Sequence, residues 1–414
     1  MPLQRPGEPD GVTDLSRFGF CVSLLTAFFC ACAGGVSSRG ADELYAYLSA
    51  EPDTLNPVIS SDAYSAEINS HIYETLLDMD LDTLGRKPDL AERWEISPDH
   101  RRYRFFLKKG VLWSDGVEFT ADDVVYSFKV IKDPKTANAH RKVNYLDITE
   151  VRKIDRYTVD FIYSKEYYLG LEICGGMTII PMHLFNDGAD INTHRNNRIP
   201  LGTGPYRFTE WVTGSRIVLE RNELYRDRKP AIRKIVYRIV AEPSVAFLML
   251  KKGELDFMSV RPIQWVRQTG SGKFLRSFNK FQYFTPNYSY IAWNSRRPVF
   301  SDARVRRAMS RLINLEAILE KLLFGLGKRV NGTFYFYSKY YNSDISPIEY
   351  DPAGAMALLK QAGWADTDGD GFLDRNGRKF SFIFTISSGS KFAERLGTIM
   401  KEDFRKAGID MENN

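Results

Sequence analysis

The sequence predicts an α/β fold, because strand and helix patterns occur along the chain without strict alternation. Three segments carry this prediction. Apolar residues recur with a period of two from Tyr103 to Leu107, which is typical of a strand. Thr120 and Asp123 form a capping box before an apolar helical stripe. Residues 207–221 alternate around a Thr-Gly turn, which is typical of a hairpin.

The other elements follow from periodicity and from cap residues. Turns are predicted at Gly110 and Gly116, which can take a positive φ. Residues 301 and 351 are predicted to cap two later helices, and Gly363 to end the second of them. The remaining predictions are strands at 44–48, within 151–163, at 232–240 and at 379–386, and helices at 63–77 and 390–408.

Length and composition indicate a globular protein with two or three domains. The chain has 414 residues, of which 43% are hydrophobic and 26% are charged. Its net charge of +5 is small, and basic and acidic residues are interleaved. No nucleic-acid partner is therefore expected.

The first 40 residues read as a signal peptide and linker. Residues 18–32 form an uncharged apolar run that is too short to span a bilayer and is followed by small residues. Cys30 or Cys32 could instead be the lipid-modified first residue of a lipoprotein. If the leader is removed, Cys174 alone remains, so the mature chain is expected to have no internal disulfide. Cys174 lies in an apolar stretch and is predicted to be buried.

A series of short motifs resembles the family 5 extracellular solute-binding proteins, the peptide-, dipeptide- and nickel-binding receptors of ABC importers. The motifs follow the usual order of that family. They are EPDTLNP at 51–57, IYETL at 72–76, LAERW at 90–94, GVLWSDG at 110–116, TADDVVYS at 120–127, GTGPYRF at 202–208, KGELD at 252–256, YIAWN at 290–294 and FSDARVRRA at 300–308.

The resemblance implies a class II periplasmic-binding-protein fold with two lobes and a small extra domain. Lobe I would comprise residues 41–74 and 199–284, the extra domain residues 75–198, and lobe II residues 285–414. The ligand would be enclosed between the lobes by hinge closure.

Lobe II is expected to be incomplete. The chain stops where the family enters another strand. An acidic residue that pairs with the α-amino group of the ligand in peptide-binding members would lie beyond Asn414. The resemblance therefore implies a C-terminally truncated receptor with exposed core surface and a tendency to aggregate.

Candidate ligand-binding residues follow from position in the resemblance, at the loop after Pro57 and at the start of lobe II. Backbone groups and aromatic walls suit a receptor that holds variable side chains. Tyr290 and Trp293 could equally be sheet core, and the glycines at 202 and 204 are expected to shape a turn near the hinge. The candidates are Ser61, Asp62, Ala63, Tyr288, Tyr290, Trp293 and Asn294.

Residues 366–374 resemble the start of an EF-hand calcium loop. Carboxylates recur at alternate positions, and glycine occupies the sixth position. The twelfth position is Gly377, so the bidentate glutamate is absent. An acidic turn before a strand is the alternative. The candidate ligands are Asp366, Asp368, Asp370, Phe372 and Asp374.

The sequence carries no enzyme motif. Its five histidines do not have a metal spacing, and no G-x-S-x-G elbow occurs. We therefore expect a periplasmic or secreted receptor that is monomeric, needs no cofactor, delivers a peptide to ABC permease and ATPase subunits, and does no chemistry. Two alternatives remain open. One is a secreted calcium-dependent structural or adhesion protein, and the other is a degenerate receptor fragment without transport function.

Overall fold

The computed structural model describes residues 39–386 and 390–414. The signal-peptide and lipoprotein predictions fall on residues outside this part of the chain, apart from the last two residues of the predicted linker. Among the helices that are described, none is both long enough and apolar enough to cross a membrane.

The described residues combine strands and helices as the sequence predicts. The strands are β1 (Glu43–Leu48), β2 (Leu77–Met79), β3 (Arg86–Pro88), β4 (Ala91–Ile96), β5 (Arg102–Leu107), β6 (Ile148–Asp155), β7 (Thr158–Tyr163), β8 (Tyr206–Val212), β9 (Arg216–Arg221), β10 (Lys234–Ile239), β11 (Asp374–Arg375), β12 (Arg378–Lys379), β13 (Ser381–Phe384) and β14 (Asp410–Asn413). The helices are α1 (Ala63–Ile72), α2 (Ala121–Lys132), α3 (Ala139–Lys142), α4 (Gly170–Gly175), α5 (Met182–Phe185), α6 (Pro243–Lys251), α7 (Pro262–Gln268), α8 (Gly272–Ser277), α9 (Ala303–Arg311), α10 (Leu315–Leu323), α11 (Pro352–Gln361) and α12 (Lys391–Lys406).

Two four-stranded sheets organise residues 39–240. The first has the order β1-β10-β9-β8, with β1 parallel to β10 and the other pairs antiparallel. The second has the order β4-β5-β7-β6 and is antiparallel throughout. Residues from both sheets and from helices α1 and α2 share one hydrophobic core. The first sheet thus joins segments that are far apart in sequence, because β1 pairs with a strand almost 200 residues later.

Two further cores lie in the later part of the chain. Residues of α6 and α8 form a small core around Phe247 and Phe274, whose ring centroids are 6.0 Å apart. Residues of α9, α11, α12 and β14 form a larger core that contains Phe380 and Phe404. The parallel pair β13–β14 contributes Met411 to this core.

Most cap and turn predictions are confirmed. Thr120 and Asp123 form the predicted capping box at the start of α2. Asp351 caps α11, with proline at its first position, and Gly363 follows that helix with a φ of +84°. Cys174 is buried as predicted, and burial raises the pKa of its thiol.

Two element predictions are wrong. Helix α1 ends at Ile72 and not at residue 77, because Tyr73 is extended, with φ −106° and ψ 147°, and Leu77 instead begins the strand β2. The cap of α9 is Asp302 and not Ser301, because the Asp302 carboxylate accepts a hydrogen bond from the Arg304 amide at 2.8 Å. The Ser301 hydroxyl donates to the carbonyl of Pro298 instead.

Candidate functional site

The loop before α1 is held in place by buried polar contacts. The Asn56 side chain accepts a hydrogen bond from the Val58 amide at 3.0 Å and donates one to the Asn197 side-chain oxygen at 2.9 Å. Asn56, Asn197 and Ser60 are all buried. The loop therefore has a defined shape, and its next residues are the predicted ligand contacts.

The three predicted contacts in this loop differ in their roles. The Asp62 carboxylate caps α1, because it accepts hydrogen bonds from the Ser65 amide at 2.7 Å and from the Ser65 hydroxyl. Ser61 and Ala63 are exposed. Asp62 therefore stabilises the helix start, and its ligand-binding role stays a prediction.

The second predicted group lies on an irregular segment that lines a cavity. Tyr288 and Tyr290 are 42% and 74% exposed, and their ring centroids are 5.7 Å apart. The cavity has a volume of about 650 Å³ and is lined by residues 283–291 and Trp293, by α10, and by residues 326–330 and 332–336. Aromatic and aliphatic side chains dominate this lining, which is typical of ligand pockets.

Trp293 and Asn294 both make structural contacts, and Trp293 also lines this cavity, so their ligand-binding role stays a prediction. The Trp293 ring packs 5.3 Å from that of Phe300 and 6.2 Å from that of Phe404, at the edge of the larger late core. The Asn294 side chain accepts a hydrogen bond from the Arg296 amide at 3.1 Å within a turn. Trp293 thus packs on core residues and lines the cavity, whereas Tyr290 lines the cavity and is exposed. Across the described residues, no hydrogen bond or ion pair joins this segment to the Ser61 loop.

The acidic loop brings three of its predicted ligands together. Carboxylate oxygens of Asp366, Asp368 and Asp374 lie within 4.8 Å of one another. The Asp370 carboxylate lies outside this group and accepts a hydrogen bond from the Phe372 amide at 2.8 Å. Calcium prefers carboxylate oxygens, and calcium binding stays a prediction at this loop.

Sequence reasoning missed a buried ionic cluster. The Arg226 guanidinium donates to the Glu74 carboxylate at 2.6 Å and to the Asp89 carboxylate at 2.7 Å. The exposed fractions of these side chains are 14% for Arg226, 8% for Glu74 and 17% for Asp89. Burial and the nearby Glu74 charge raise the pKa of Asp89 to about 7. The cluster ties together three segments that are distant in sequence, so no local pattern could have revealed it.

Sequence reasoning also missed Arg141, on α3. Its Nη2 atom donates to the Ser60 carbonyl at 3.2 Å, directly before the predicted ligand contacts. The residue stands in a polar stretch without a motif. What distinguishes Arg141 from a surface arginine is its contact with Ser60, which lies 81 positions earlier in the sequence.

Comparison with known proteins places this chain among bacterial transport receptors. A family model described as "Bacterial extracellular solute-binding proteins, family 5 Middle" matches residues 86–414. The oligopeptide-binding protein AppA of Bacillus subtilis is 30% identical over 94% of this chain and 74% of its own length. The dipeptide-binding protein of Escherichia coli is 29% identical over 75% of this chain and 62% of its own length.

Solved structures of similar proteins have the same fold. The structure of AppA from Bacillus subtilis with a nonapeptide aligns with a TM-score of 0.77 and 29% identity, over 90% of this chain and 74% of that protein. The structure of NikZ from Campylobacter jejuni with Ni(L-His) gives a TM-score of 0.79 and 28% identity, over 91% of this chain and 74% of that protein. The predicted family fold is therefore confirmed, and the chain belongs to the family 5 bacterial extracellular solute-binding proteins.

Proposed function

We propose that this protein is the substrate-binding receptor of an ABC importer and that its ligands are peptides. The observation that carries the proposal is its similarity to AppA of Bacillus subtilis, whose solved complex holds a nonapeptide. The dipeptide-binding protein of Escherichia coli adds a second peptide-binding relative. The receptor would pass its ligand to permease and ATPase subunits in the membrane and would do no chemistry itself.

We propose a domain arrangement to match. Residues 41–74 and 199–284 form lobe I, residues 75–198 the extra domain, and residues 285–414 lobe II. The parallel pairing of β1 with β10 supports a lobe built from two separate segments. Closure of the lobes about the hinge would then enclose the ligand.

The proposed location is outside the inner membrane, as for the family. The receptor would be periplasmic or secreted after cleavage of the signal peptide, and a lipid anchor at Cys30 or Cys32 is the alternative to this soluble form. We also propose that it acts as a monomer. The adhesion alternative has no support among the relatives, which are solute-binding proteins.

The proposal predicts that peptides stabilise the protein against heat. A ligand that binds only the folded state at 100 times its Kd adds about 2.7 kcal/mol to the free energy of unfolding. We therefore expect a clear rise in Tm with some members of a library of synthetic di- to nonapeptides. The nickel complex of L-histidine, the ligand of NikZ, is the matched comparison. A rise in Tm with the nickel complex and with no peptide would contradict the proposal.

We propose separately that the acidic loop binds calcium. Titration of the 414-residue chain with calcium chloride is then expected to release or absorb heat and to raise Tm. Asp368→Asn should abolish both effects, whereas Asp370→Asn should retain them, because only the former carboxylate belongs to the cluster. No heat and no change in Tm for the unmodified protein would rule the site out.

A further inference from the structure

The charges of this protein are distributed unevenly along the chain. Residues 240–340 contain 17 lysines and arginines and six aspartates and glutamates, a net charge of +11, whereas the whole chain has a net charge of +5. The remaining residues therefore have a net charge of −6. Because a charged surface attracts one part of such a molecule and repels the other, the protein should turn residues 240–340 toward negative charge.

Most basic side chains of this segment are not neutralised by a neighbour. Arg304, Arg311 and Arg329 form ion pairs with carboxylates. Within the part of the chain that the structure describes, the other 14 lysines and arginines of residues 240–340 have no carboxylate oxygen within 4.0 Å. Their charges are therefore available to an external partner.

Helices α6, α7 and α8 lie at the start of this segment and form one helical unit. Phe247 of α6 and Phe274 of α8 pack in the same small core. The Gln264 side chain of α7 donates a hydrogen bond to the Pro243 carbonyl, at the start of α6, at 3.3 Å. Since α7 also lies next to α10, this unit adjoins the other basic helices of the segment.

The exposed side of this unit, which we call the basic face, combines cations with apolar side chains. Val245, Leu248, Val266 and Leu275 are between 47% and 54% exposed. On α6, two of these residues share one side with a lysine, because positions 245, 248 and 252 follow the helical spacing i, i+3 and i+7. The exposed basic residues of the face are Lys251, Lys252, Arg261, Arg267, Lys273 and Arg276.

Single apolar side chains among lysines and arginines fit the surface of a membrane better than that of a protein. Protein–protein interfaces are depleted in lysine and place an apolar core inside a polar rim. A bilayer with anionic lipids attracts lysine and arginine alike. Apolar side chains of a helix that lies on the bilayer can enter the boundary between headgroups and acyl chains.

We propose that the basic face binds the surface of a membrane that contains anionic phospholipids. This inference goes beyond the proposed function, because it concerns where the receptor is held and not which ligand it carries. A receptor held at the membrane surface is concentrated near the membrane subunits of an importer. The acidic remainder of the chain would be directed away from the lipid.

The test measures cosedimentation of the 414-residue chain with lipid vesicles, without any peptide. One set of vesicles is pure phosphatidylcholine, and the other contains equal parts of phosphatidylcholine and phosphatidylglycerol. Each set is measured at low ionic strength and in about 1 M sodium chloride, where the Debye length is about 3 Å. The apolar run at 18–32 is present in every sample, and the neutral vesicles measure its contribution.

Two triple variants have the same change in net charge. The first replaces three lysines of the basic face by glutamine, and the control replaces three exposed lysines outside residues 240–340 that have no carboxylate oxygen within 4.0 Å among the described residues. The first variant is Lys251→Gln with Lys252→Gln and Lys273→Gln, and the control is Lys129→Gln with Lys360→Gln and Lys401→Gln.

At low ionic strength, we expect the unmodified protein to bind the anionic vesicles at least about 100-fold more tightly than the neutral ones, and high salt should remove this difference. Each lysine at an anionic surface contributes a factor of about five, so the basic-face variant should bind the anionic vesicles about 100-fold more weakly. The control variant should lose less than about fivefold.

Equal binding of the unmodified protein to both kinds of vesicle would overturn the inference, and this comparison does not depend on the folding of a variant. Equal losses for the two triple variants would also overturn it, because net charge and not the basic face would then be responsible. Soluble polyglutamate serves as a probe for an acidic protein partner. If the protein bound polyglutamate but did not prefer the anionic vesicles, the partner would be such a protein and the membrane proposal would be wrong.

Discussion

Gly202→Ala is expected to lower the free energy of unfolding by about 3 kcal/mol or more, because an added methyl group in a closely packed site forces the backbone to move. A Cβ at this position would overlap the backbone carbonyl of Ile72, at the end of α1. The surrounding turn is fixed by hydrogen bonds from the Gly204 amide to the Ile72 carbonyl at 2.8 Å and from the Ser114 amide to the Gly202 carbonyl at 3.0 Å. Neither the Ile72 carbonyl nor the backbone of Gly202 can move away without breaking one of these hydrogen bonds.

Gly270→Ala is the matched control. No atom lies within 4 Å of a Cβ built at Gly270, and its φ is not positive. Alanine there should change stability by less than about 1 kcal/mol, since it mainly restricts the unfolded chain. Chemical denaturation followed by tryptophan fluorescence measures both variants. A loss for Gly202→Ala no larger than that for Gly270→Ala would show that the backbone contact at Ile72 is not rigid.

Arg226→Met is expected to lower the free energy of unfolding by about 3–5 kcal/mol at pH 8, the range measured when one partner of a buried ion pair is removed. The change leaves the Glu74 and Asp89 carboxylates close together and largely buried, without their shared cation. The surface pair Arg207–Glu220 provides the control, with side chains 47% and 33% exposed. Arg207→Met should cost less than about 1 kcal/mol.

The fall in the free energy of unfolding caused by Arg226→Met should depend on pH. The pKa of Asp89 is raised to about 7 in the folded state, above its ordinary value of 3.8. The folded protein thus holds more protons than the unfolded chain between about pH 4 and pH 7, and the contribution of Asp89 to stability falls as pH rises through this window. At pH 5, below its raised pKa, Asp89 is protonated, so Arg226→Met should lose less free energy of unfolding than at pH 8.

Glu74→Gln separates the two causes of the Asp89 shift. The Glu74 charge is the second cause after burial, so the amide should lower the pKa of Asp89 and flatten the pH dependence of stability. Denaturation curves at pH 5 and pH 8 measure each variant. An equal loss for Arg226→Met at both pH values would contradict the assignment of this cluster.

Local signals in the sequence were sufficient for the elements that depend on near neighbours. The capping box at Thr120 lies within four residues, and the turn glycines at 110 and 116 have φ values of +71° and +91°. The end of α1 was not predictable in this way. Residues 73–77 have an acceptable helical pattern, but burial of Tyr73 and pairing of β2 with β3 favour the extended chain.

The candidate site was only partly predictable, for the same reason. The Ser60 loop followed from the resemblance, but its contact with Arg141 depends on how α3 packs 81 residues later. Apolar patterning could not decide between core and cleft for Tyr290 and Trp293, since a strand side chain can face either. Trp293 packs against Phe300 and Phe404 and also lines the cavity, so both alternatives stay open for it. The Arg226 cluster is a tertiary contact as well, because Arg226 lies 137 positions from Asp89 and 152 positions from Glu74 in the sequence.

The most direct test of the peptide-receptor function is native mass spectrometry of the 414-residue chain after incubation with a peptide pool and removal of unbound peptide. The expected result is a complex of one protein with one peptide, which dissociates on acidification. The contradicting result is a spectrum that shows the mass of the protein alone. This outcome counts if circular dichroism shows that the chain is folded and if the peptide was in excess.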